Sequence, residues 1–168
     1  AYRPGQLSFP LGLAEENHST WPDLLQEVKF ELDWMLKMQR ADGAVYHKVS
    51  GMHWPGMILP EEDTQPRYVF GLSTYGTAMF AGATAMAARI YEPWDAQYAA
   101  VLLEHAERAQ SYLERNPNSQ FLKSAHQDDG SGGYEKSGDR GERFWAAAEL
   151  LKTTGEKRYA DYLEKHFS

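Results

Sequence analysis

Long and short connections alternate between the predicted helices of this chain of 168 residues. Residues 41–72 and 117–141 lack helical periodicity, whereas the other breaks between helices are only a few residues long. Short turns join antiparallel neighbours, so the two long loops should lie at the same end of the helical array. We predict an all-α fold in which these two loops form one rim. The predicted helices span residues 20–40, 73–91, 94–115, 141–154 and 156–167.

The first predicted helix has the clearest apolar stripe. Leu25, Val28, Leu32 and Met35 recur at steps of three and four, which is the pattern of an amphipathic helix. Further apolar side chains widen this stripe, so we expect the helix to be covered on more than one side. Thr20 is the predicted N-cap. The residues after this helix predict a turn followed by a short strand.

The second predicted helix is built largely from small residues. Small side chains on nearly every face let neighbouring helices approach closely, so we predict an inner helix with several neighbours. The fourth predicted helix is followed by Gly155, a residue type that favours the left-handed conformation of a C-cap. The small residues of the second helix are Gly76, Ala78, Ala81, Gly82, Ala83, Ala85, Ala87 and Ala88.

Composition excludes several functional classes. The net charge of −7 argues against a nucleic-acid partner, because phosphates are bound by clustered lysines and arginines. No run of 18 apolar residues is present, which argues against a membrane span. The absence of cysteine excludes disulfides, thiolate catalysis and cysteine-based zinc sites. Aromatic residues make up 13%, and each can fill the core or offer a flat face to a ligand.

The start of the chain differs from the rest. Residues 1–19 are polar and contain proline and glycine without periodicity, so we expect an irregular lead-in to a single domain segment. The chain begins with alanine and shows no signal-peptide pattern. We therefore expect a processed or excised product.

Four segments of the chain, in the same order, carry a family-specific pattern. They are residues 21–39, Asp42-Gly-Ala-Val-Tyr-His-Lys-Val49, Pro60-Glu-Glu-Asp-Thr-Gln-Pro-Arg-Tyr-Val69 and Glu142-Arg-Phe-Trp-Ala-Ala-Ala-Glu-Leu150. With them, residues 21–165 resemble glycoside hydrolase family 9, the inverting endoglucanases. The resemblance implies a partial catalytic domain whose five helices form the middle of an (α/α)₆ barrel. It also implies a secreted cellulase.

The same resemblance assigns no catalytic residue to this chain. Family members use an upstream Asp-Ala-Gly-Asp motif and a glutamate near the C-terminus, and inversion needs carboxylates on both sides of the bond. Neither has a counterpart in this sequence. The adjacent acids Glu61, Glu62, Asp63, Asp128 and Asp129 could raise one another's pKa. Neighbouring acids in loops more often face solvent or cap helices, so we predict no catalysis by them.

The resemblance does indicate substrate-binding residues. It places His53, Trp54 and Tyr68 in the loop that lines the cleft, where rings stack on sugars and imidazoles bind hydroxyl groups. The alternative is that Trp54 and Tyr68 are buried anchors beneath the proline-rich turn. Three other histidines, His47, His105 and His126, are predicted to be structural.

Relatives in this family often carry an acidic calcium loop before the fourth helix. Here Lys136, Ser137 and Gly141 stand where acids are expected, leaving Glu135 and Asp139. Calcium takes six to eight oxygen ligands, several of them carboxylates. The ligand set is incomplete, so we predict no metal site and no required cofactor.

Two functions fit the resemblance, and a third ignores it. The first is a segment of a β-1,4-glucan hydrolase that binds a β-1,4-glucan or cello-oligosaccharide and needs the remaining barrel helices to complete the fold. The second is a non-catalytic carbohydrate-binding or scaffold fragment. The third, an unrelated α/α-toroid binder, would explain the helices but not the four matched segments.

Overall fold

The computed structural model describes residues 21–126 and 128–167. Within these residues the chain forms five α-helices and a small sheet of three strands, with a 3₁₀ turn at Pro60–Glu62. The number and order of the helices confirm the prediction. The helices are α1 (Asp23–Lys37), α2 (Thr74–Tyr91), α3 (Ala96–Arg115), α4 (Arg140–Thr154) and α5 (Lys157–Phe167); the strands are β1 (Tyr46–Ser50), β2 (Tyr68–Ser73) and β3 (Phe121–Leu122).

The ends of the helices follow local chemistry. α1 is shorter than predicted at both ends, with Pro22 at its N-cap; the predicted cap Thr20 and the lead-in 1–19 lie outside the described residues. α2 starts directly after β2, where the hydroxyl of Ser73 accepts a hydrogen bond from the Gly76 N–H at 3.1 Å. α4 ends at Gly155, which has the predicted left-handed conformation with φ of 70°.

Helix α2 is the inner helix that its small residues predict. It packs against both α3 and α4, and its alanines are mostly buried. At Gly82 the α4 side chain Trp145 approaches so closely that a Cβ there would lie 2.5 Å from the indole ring. Leu102 and Leu113 of α3 and Leu150 of α4 are fully buried in this part of the molecule. Small residues therefore let α2 approach both of its neighbours.

Helix α1 is covered on one side. Leu25 and Leu32 are buried, and the Tyr91 hydroxyl donates a hydrogen bond to the Leu25 carbonyl. Phe30 and Trp34 lie on another face and are exposed, Phe30 to 62%. The prediction that α1 is covered on more than one side is therefore not met by the residues that the structure describes.

The sheet links the two long loops. β2 lies between β1 and β3 and is antiparallel to both, with Ser50 paired to Tyr68 and Ser73 paired to Phe121. Because β3 comes from the second loop, residues 41–72 and 117–141 share one rim, as predicted. The strand after α1 was also predicted, but β2 and β3 were not. β3 has two residues, and the burial pattern of β2 does not alternate.

The end of α3 and the start of α4 are joined by a buried ion pair. The Arg143 Nε lies 2.9 Å from the Asp139 Oδ1, and both side chains are only 6% exposed. The Arg143 guanidinium also donates to the carbonyls of Leu113 (2.9 Å) and Asn116 (2.8 Å) at the end of α3. The Leu113 carbonyl also accepts a hydrogen bond from the Asn116 N–H at 3.1 Å, so Arg143 adds to the cap of α3 from a neighbouring helix.

Across the described ranges, none of the helices combines the length and the apolar character that a membrane span requires.

Candidate substrate-binding rim

The rim loop, residues 51–67, connects β1 to β2. It leaves the sheet after Ser50 and returns at Tyr68, and these two residues are paired across the ladder. The three predicted binding residues are therefore near one end of the sheet. Tyr68 belongs to the pair itself, and His53 and Trp54 follow Ser50 by three and four residues.

The side chains of the three predicted binding residues are exposed to solvent. Trp54 is 73% exposed and Tyr68 is 45% exposed, and His53 is exposed as well. The Trp54 ring is therefore not a buried anchor of the loop. Other exposed apolar residues of the rim include Met57, Ile58, Leu59, Val69, Leu122 and Tyr134.

The acidic residues of the rim loop shape its backbone. The Glu62 carboxylate accepts a hydrogen bond from the Leu59 N–H at 3.0 Å, which closes the 3₁₀ turn. The Asp63 carboxylate lies 2.7 Å from the Arg67 guanidinium. A hydrogen bond from the Gln65 amide, helped by Arg67, holds the pKa of Asp63 below its usual value. A carboxylate held ionised in this way is poorly suited to act as a general acid.

The acids of the second loop are also paired. Asp128 lies 3.2 Å from the Lys123 ammonium, and Asp129 lies 2.8 Å from the His126 ring. Each of these pairs is exposed and contributes little to stability. Their contacts are local, within five residues along the chain.

Lys48 holds the second loop against β1. This lysine is only 8% exposed, and its ammonium donates hydrogen bonds to the carbonyls of Asp129 (3.1 Å) and Gly132. Between them, Gly130 has a φ of 63°, and a Cβ there would lie 2.3 Å from the Gly51 carbonyl oxygen. Glycine therefore permits the close approach of the two loops.

His47 fills the space between the sheet and the second loop. Its Nε2 lies 3.1 Å from the Gly133 carbonyl and its Nδ1 lies 3.2 Å from the Ser73 hydroxyl. A neutral ring with hydrogen on Nε2 satisfies both contacts. Burial lowers the pKa of His47, and the neighbouring Lys48 lowers it further, against the opposing effect of the Gly133 contact. The ring packs edge-on against Phe121 at 4.8 Å, so His47 has the structural position predicted for it.

In the segment that resembles a calcium loop, the carboxylates form ion pairs with lysine and arginine side chains of this chain. Glu135 contacts Lys123, and Glu142 contacts Lys136. Asp139 is the buried partner of Arg143. Among the described residues, no group of three or more histidines or acids has the arrangement of a metal site. The carboxylates of this segment are thus bound to lysine and arginine.

Two polar residues of the rim were not predicted from the sequence. Lys48 bonds to Gly132 across 84 residues, and Gln65 bonds to His53 across 12. A buried lysine in a strand and a glutamine in a loop have no distinctive sequence pattern. Their partners become known only when the loops are folded.

Comparison with known proteins establishes the family. Residues 5–168 match the model of glycosyl hydrolase family 9, so the chain belongs to that family, as its four segments indicated. Its five helices are part of the family's (α/α)₆ barrel.

Individual relatives support the same family assignment. Endoglucanase D of Acetivibrio thermocellus is 41% identical over 151 residues, which are 89% of this chain and 24% of that protein. The crystal structure of endoglucanase J30 is 63% identical with a TM-score of 0.85, over 87% of this chain and 27% of that one. The structure of AaCel9A in complex with cellobiose-like isofagomine is 32% identical with a TM-score of 0.81, over 89% of this chain and 28% of that one. The chain thus spans about a quarter of the length of these relatives.

Proposed function

We propose that this chain forms one wall of the substrate cleft of an endo-β-1,4-glucanase. In this proposal the rim loop binds a cello-oligosaccharide through His53, Trp54 and Tyr68. The observation that carries the proposal is the solvent exposure of the Trp54 ring, 73%, in a chain of glycosyl hydrolase family 9. An indole that was only structural would bury this surface.

The three side chains suit a sugar in different ways. The flat face of Trp54 can stack on the C–H groups of a pyranose ring, a contact that needs an exposed ring. His53 and the Tyr68 hydroxyl can exchange hydrogen bonds with sugar hydroxyl groups. A few directed polar groups around an apolar surface are typical of ligand sites.

The chemistry of hydrolysis belongs to other parts of the catalytic domain in this proposal. Inversion needs one carboxyl group as acid and another as base, about 6.5–9.5 Å apart. The acids Glu62, Asp63, Asp128 and Asp129 are occupied by contacts with the loops around them. This chain therefore supplies substrate binding rather than acid–base chemistry.

The exposed face of α1 suggests how the fold is completed. Phe30 and Trp34 of α1 are both exposed. We propose that other helices of the barrel cover this face, because the chain spans about a quarter of its relatives. Action outside the cell is part of the same proposal, since a polymeric glucan is digested there.

A non-catalytic carbohydrate-binding fragment is the second candidate. It is favoured by the local pairing of the rim acids described above. Hydrolysis separates the two candidates. A hydrolase releases reducing sugar from carboxymethyl-cellulose when the whole catalytic domain is present, whereas a binding fragment retains only affinity for the glucan.

Replacement of Trp54 tests the proposal. In the catalytic domain that contains this chain, Trp54→Ala should weaken cellohexaose binding by about 1–3 kcal/mol, the usual effect of losing an aromatic anchor. Unfolding free energy should change by less than about 0.5 kcal/mol, because the ring is exposed. Titration calorimetry and urea unfolding measure the two quantities.

The fully exposed Met57 on the same loop provides a matched control. Met57→Ala also removes apolar surface from the rim but no aromatic ring, so it should have the smaller effect on affinity. A large loss of stability in Trp54→Ala with unchanged affinity would identify Trp54 as a structural residue and overturn the proposal.

A further inference from the structure

Gln65 lies at the base of the rim loop and binds both backbone groups of His53. Its Oε1 accepts a hydrogen bond from the His53 N–H at 3.1 Å, and its Nε2 donates to the His53 carbonyl at 3.0 Å. The side-chain amide thus pairs with the backbone as a neighbouring strand would. We propose that Gln65 is a positioning residue that fixes the place of Trp54 for glucan binding. This inference rests on the proposed function.

A third contact fixes the orientation of the amide. The Nε2 of Gln65 also donates to the Asp63 carboxylate at 2.9 Å. An ionised carboxylate only accepts hydrogen bonds, so the nitrogen must face Asp63 and the oxygen must face the His53 N–H. Arg67 holds this arrangement from the other side, with its guanidinium 2.7 Å from Asp63 and 2.8 Å from the Gln65 carbonyl.

The amide also lies directly on the backbone of Gly51. A Cβ at Gly51 would lie 2.1 Å from the amide carbon of Gln65. Gly51 is in turn the residue whose carbonyl oxygen Gly130 approaches. Through Gly51 the amide of Gln65 is thus in contact with both long loops, which Lys48 holds together. A residue with a Cβ at position 51 would leave no room for the amide.

The position of Trp54 depends on these contacts. Among hydrogen bonds between described residues, the two with Gln65 are the only ones made by residues 53–57. Met57, four residues after His53, is fully exposed. The segment that carries the Trp54 ring is therefore attached to the rest of the rim mainly at His53. Loss of this attachment should release the indole from its binding position while leaving the helices intact.

Gln65→Glu is the sharpest test, since it keeps the shape of the side chain. The new oxygen would face the His53 carbonyl and the Asp63 carboxylate, two groups that only accept hydrogen bonds. In the catalytic domain, the His53 amide should exchange hydrogen faster, and cellohexaose affinity should fall about tenfold, the equivalent of one hydrogen bond of about 1.4 kcal/mol. KM on carboxymethyl-cellulose should rise with kcat unchanged, because Gln65 acts on binding.

Gln97→Glu is the matched control. Gln97 is an exposed residue near the start of α3, so this variant makes the same chemical change away from the rim. It should leave exchange, affinity and KM unchanged. Gln65→Ala provides a second variant that removes all three contacts of the amide without adding a charge. It should reproduce the faster exchange at His53.

The results separate this inference from the proposed function. Unchanged exchange at His53 in both Gln65 variants overturns the positioning role. Faster exchange with unchanged affinity overturns it as well, if Trp54→Ala has weakened binding. If Trp54→Ala leaves affinity intact, the proposed function fails and the inference fails with it. Faster exchange together with weaker affinity and an unchanged kcat supports both.

Discussion

Two aspartate–arginine pairs with the same spacing hold two very different regions. Asp139 and Arg143 join the end of α3 to the start of α4, whereas Asp63 and Arg67 brace the rim loop. In each pair the aspartate and the arginine are four residues apart, and the arginine also donates hydrogen bonds to backbone carbonyls. The side chains of the first pair are 6% exposed, while Arg67 is 45% exposed.

Because of this difference in burial, the first pair stabilises the fold and the second pair positions a binding residue. A charge left alone in a buried position costs several kcal/mol, whereas an exposed ion pair contributes little because water and salt screen it. The junction of α3 and α4 therefore depends on its pair for folding. The rim loop depends on its pair for the orientation of Gln65, and through Gln65 for the position of Trp54.

The largest expected effect tests this contrast directly. Arg143→Ala should lower the free energy of unfolding by about 3–5 kcal/mol, because it leaves Asp139 buried without its cation and removes the cap of α3. Arg67→Ala, the matched change in the exposed pair, should lower it far less. Urea unfolding of the catalytic domain measures both. Similar losses in the two variants would show that burial does not distinguish the pairs.

A glycine pair tests how tightly the two loops are joined. Gly130 and Gly132 both have positive φ, 63° and 92°, but only Gly130 faces another backbone. Gly132→Ala should cost about 1–2 kcal/mol, the penalty of a left-handed alanine. Gly130→Ala should cost more, since its Cβ would lie 2.3 Å from the Gly51 oxygen. Equal losses of unfolding free energy would mean that the loops separate easily at this point.

The helices could be predicted from sequence because their signals are local. The apolar stripe of α1, the small residues of α2 and the cap Gly155 each act within a few turns. The shared rim followed from the alternation of long and short connections. These signals do not depend on which residues meet later in the fold.

The remaining features depend on contacts between distant segments. β3 is a strand only because β2 lies beside it, and Lys48 is buried only because the second loop folds over it. In the sequence, the pair Asp63 and Arg67 has the same residues and spacing as Asp139 and Arg143. Burial distinguishes the two pairs, and burial is a property of the folded chain.

The smallest expected effect concerns the pH dependence of the rim. His47 is partly buried between the sheet and the second loop, and this burial lowers the pKa of its ring. In the unfolded chain the ring takes up a proton near its usual pKa of about 6.5. The folded rim takes up that proton only at lower pH, so the proton favours the unfolded chain, and stability falls as the pH drops below about 6.5. Below the pKa of the folded state no further loss is expected.

His47→Gln should reduce this loss, because glutamine keeps a donor for the Gly133 carbonyl and does not titrate. The free energies of unfolding of the wild type and the variant are measured between pH 7.5 and pH 5. Carboxylates contribute equally to both profiles, so the difference between the profiles gives the contribution of His47. Burial also lowers the pKa of His105, so His105→Gln is the control for a histidine away from the rim. Only His47→Gln should also reduce the acid-induced rise in hydrogen exchange at Tyr134, the residue that follows Gly133 in the second loop. Parallel pH profiles for the wild type and His47→Gln would show that this ring does not couple the rim to pH.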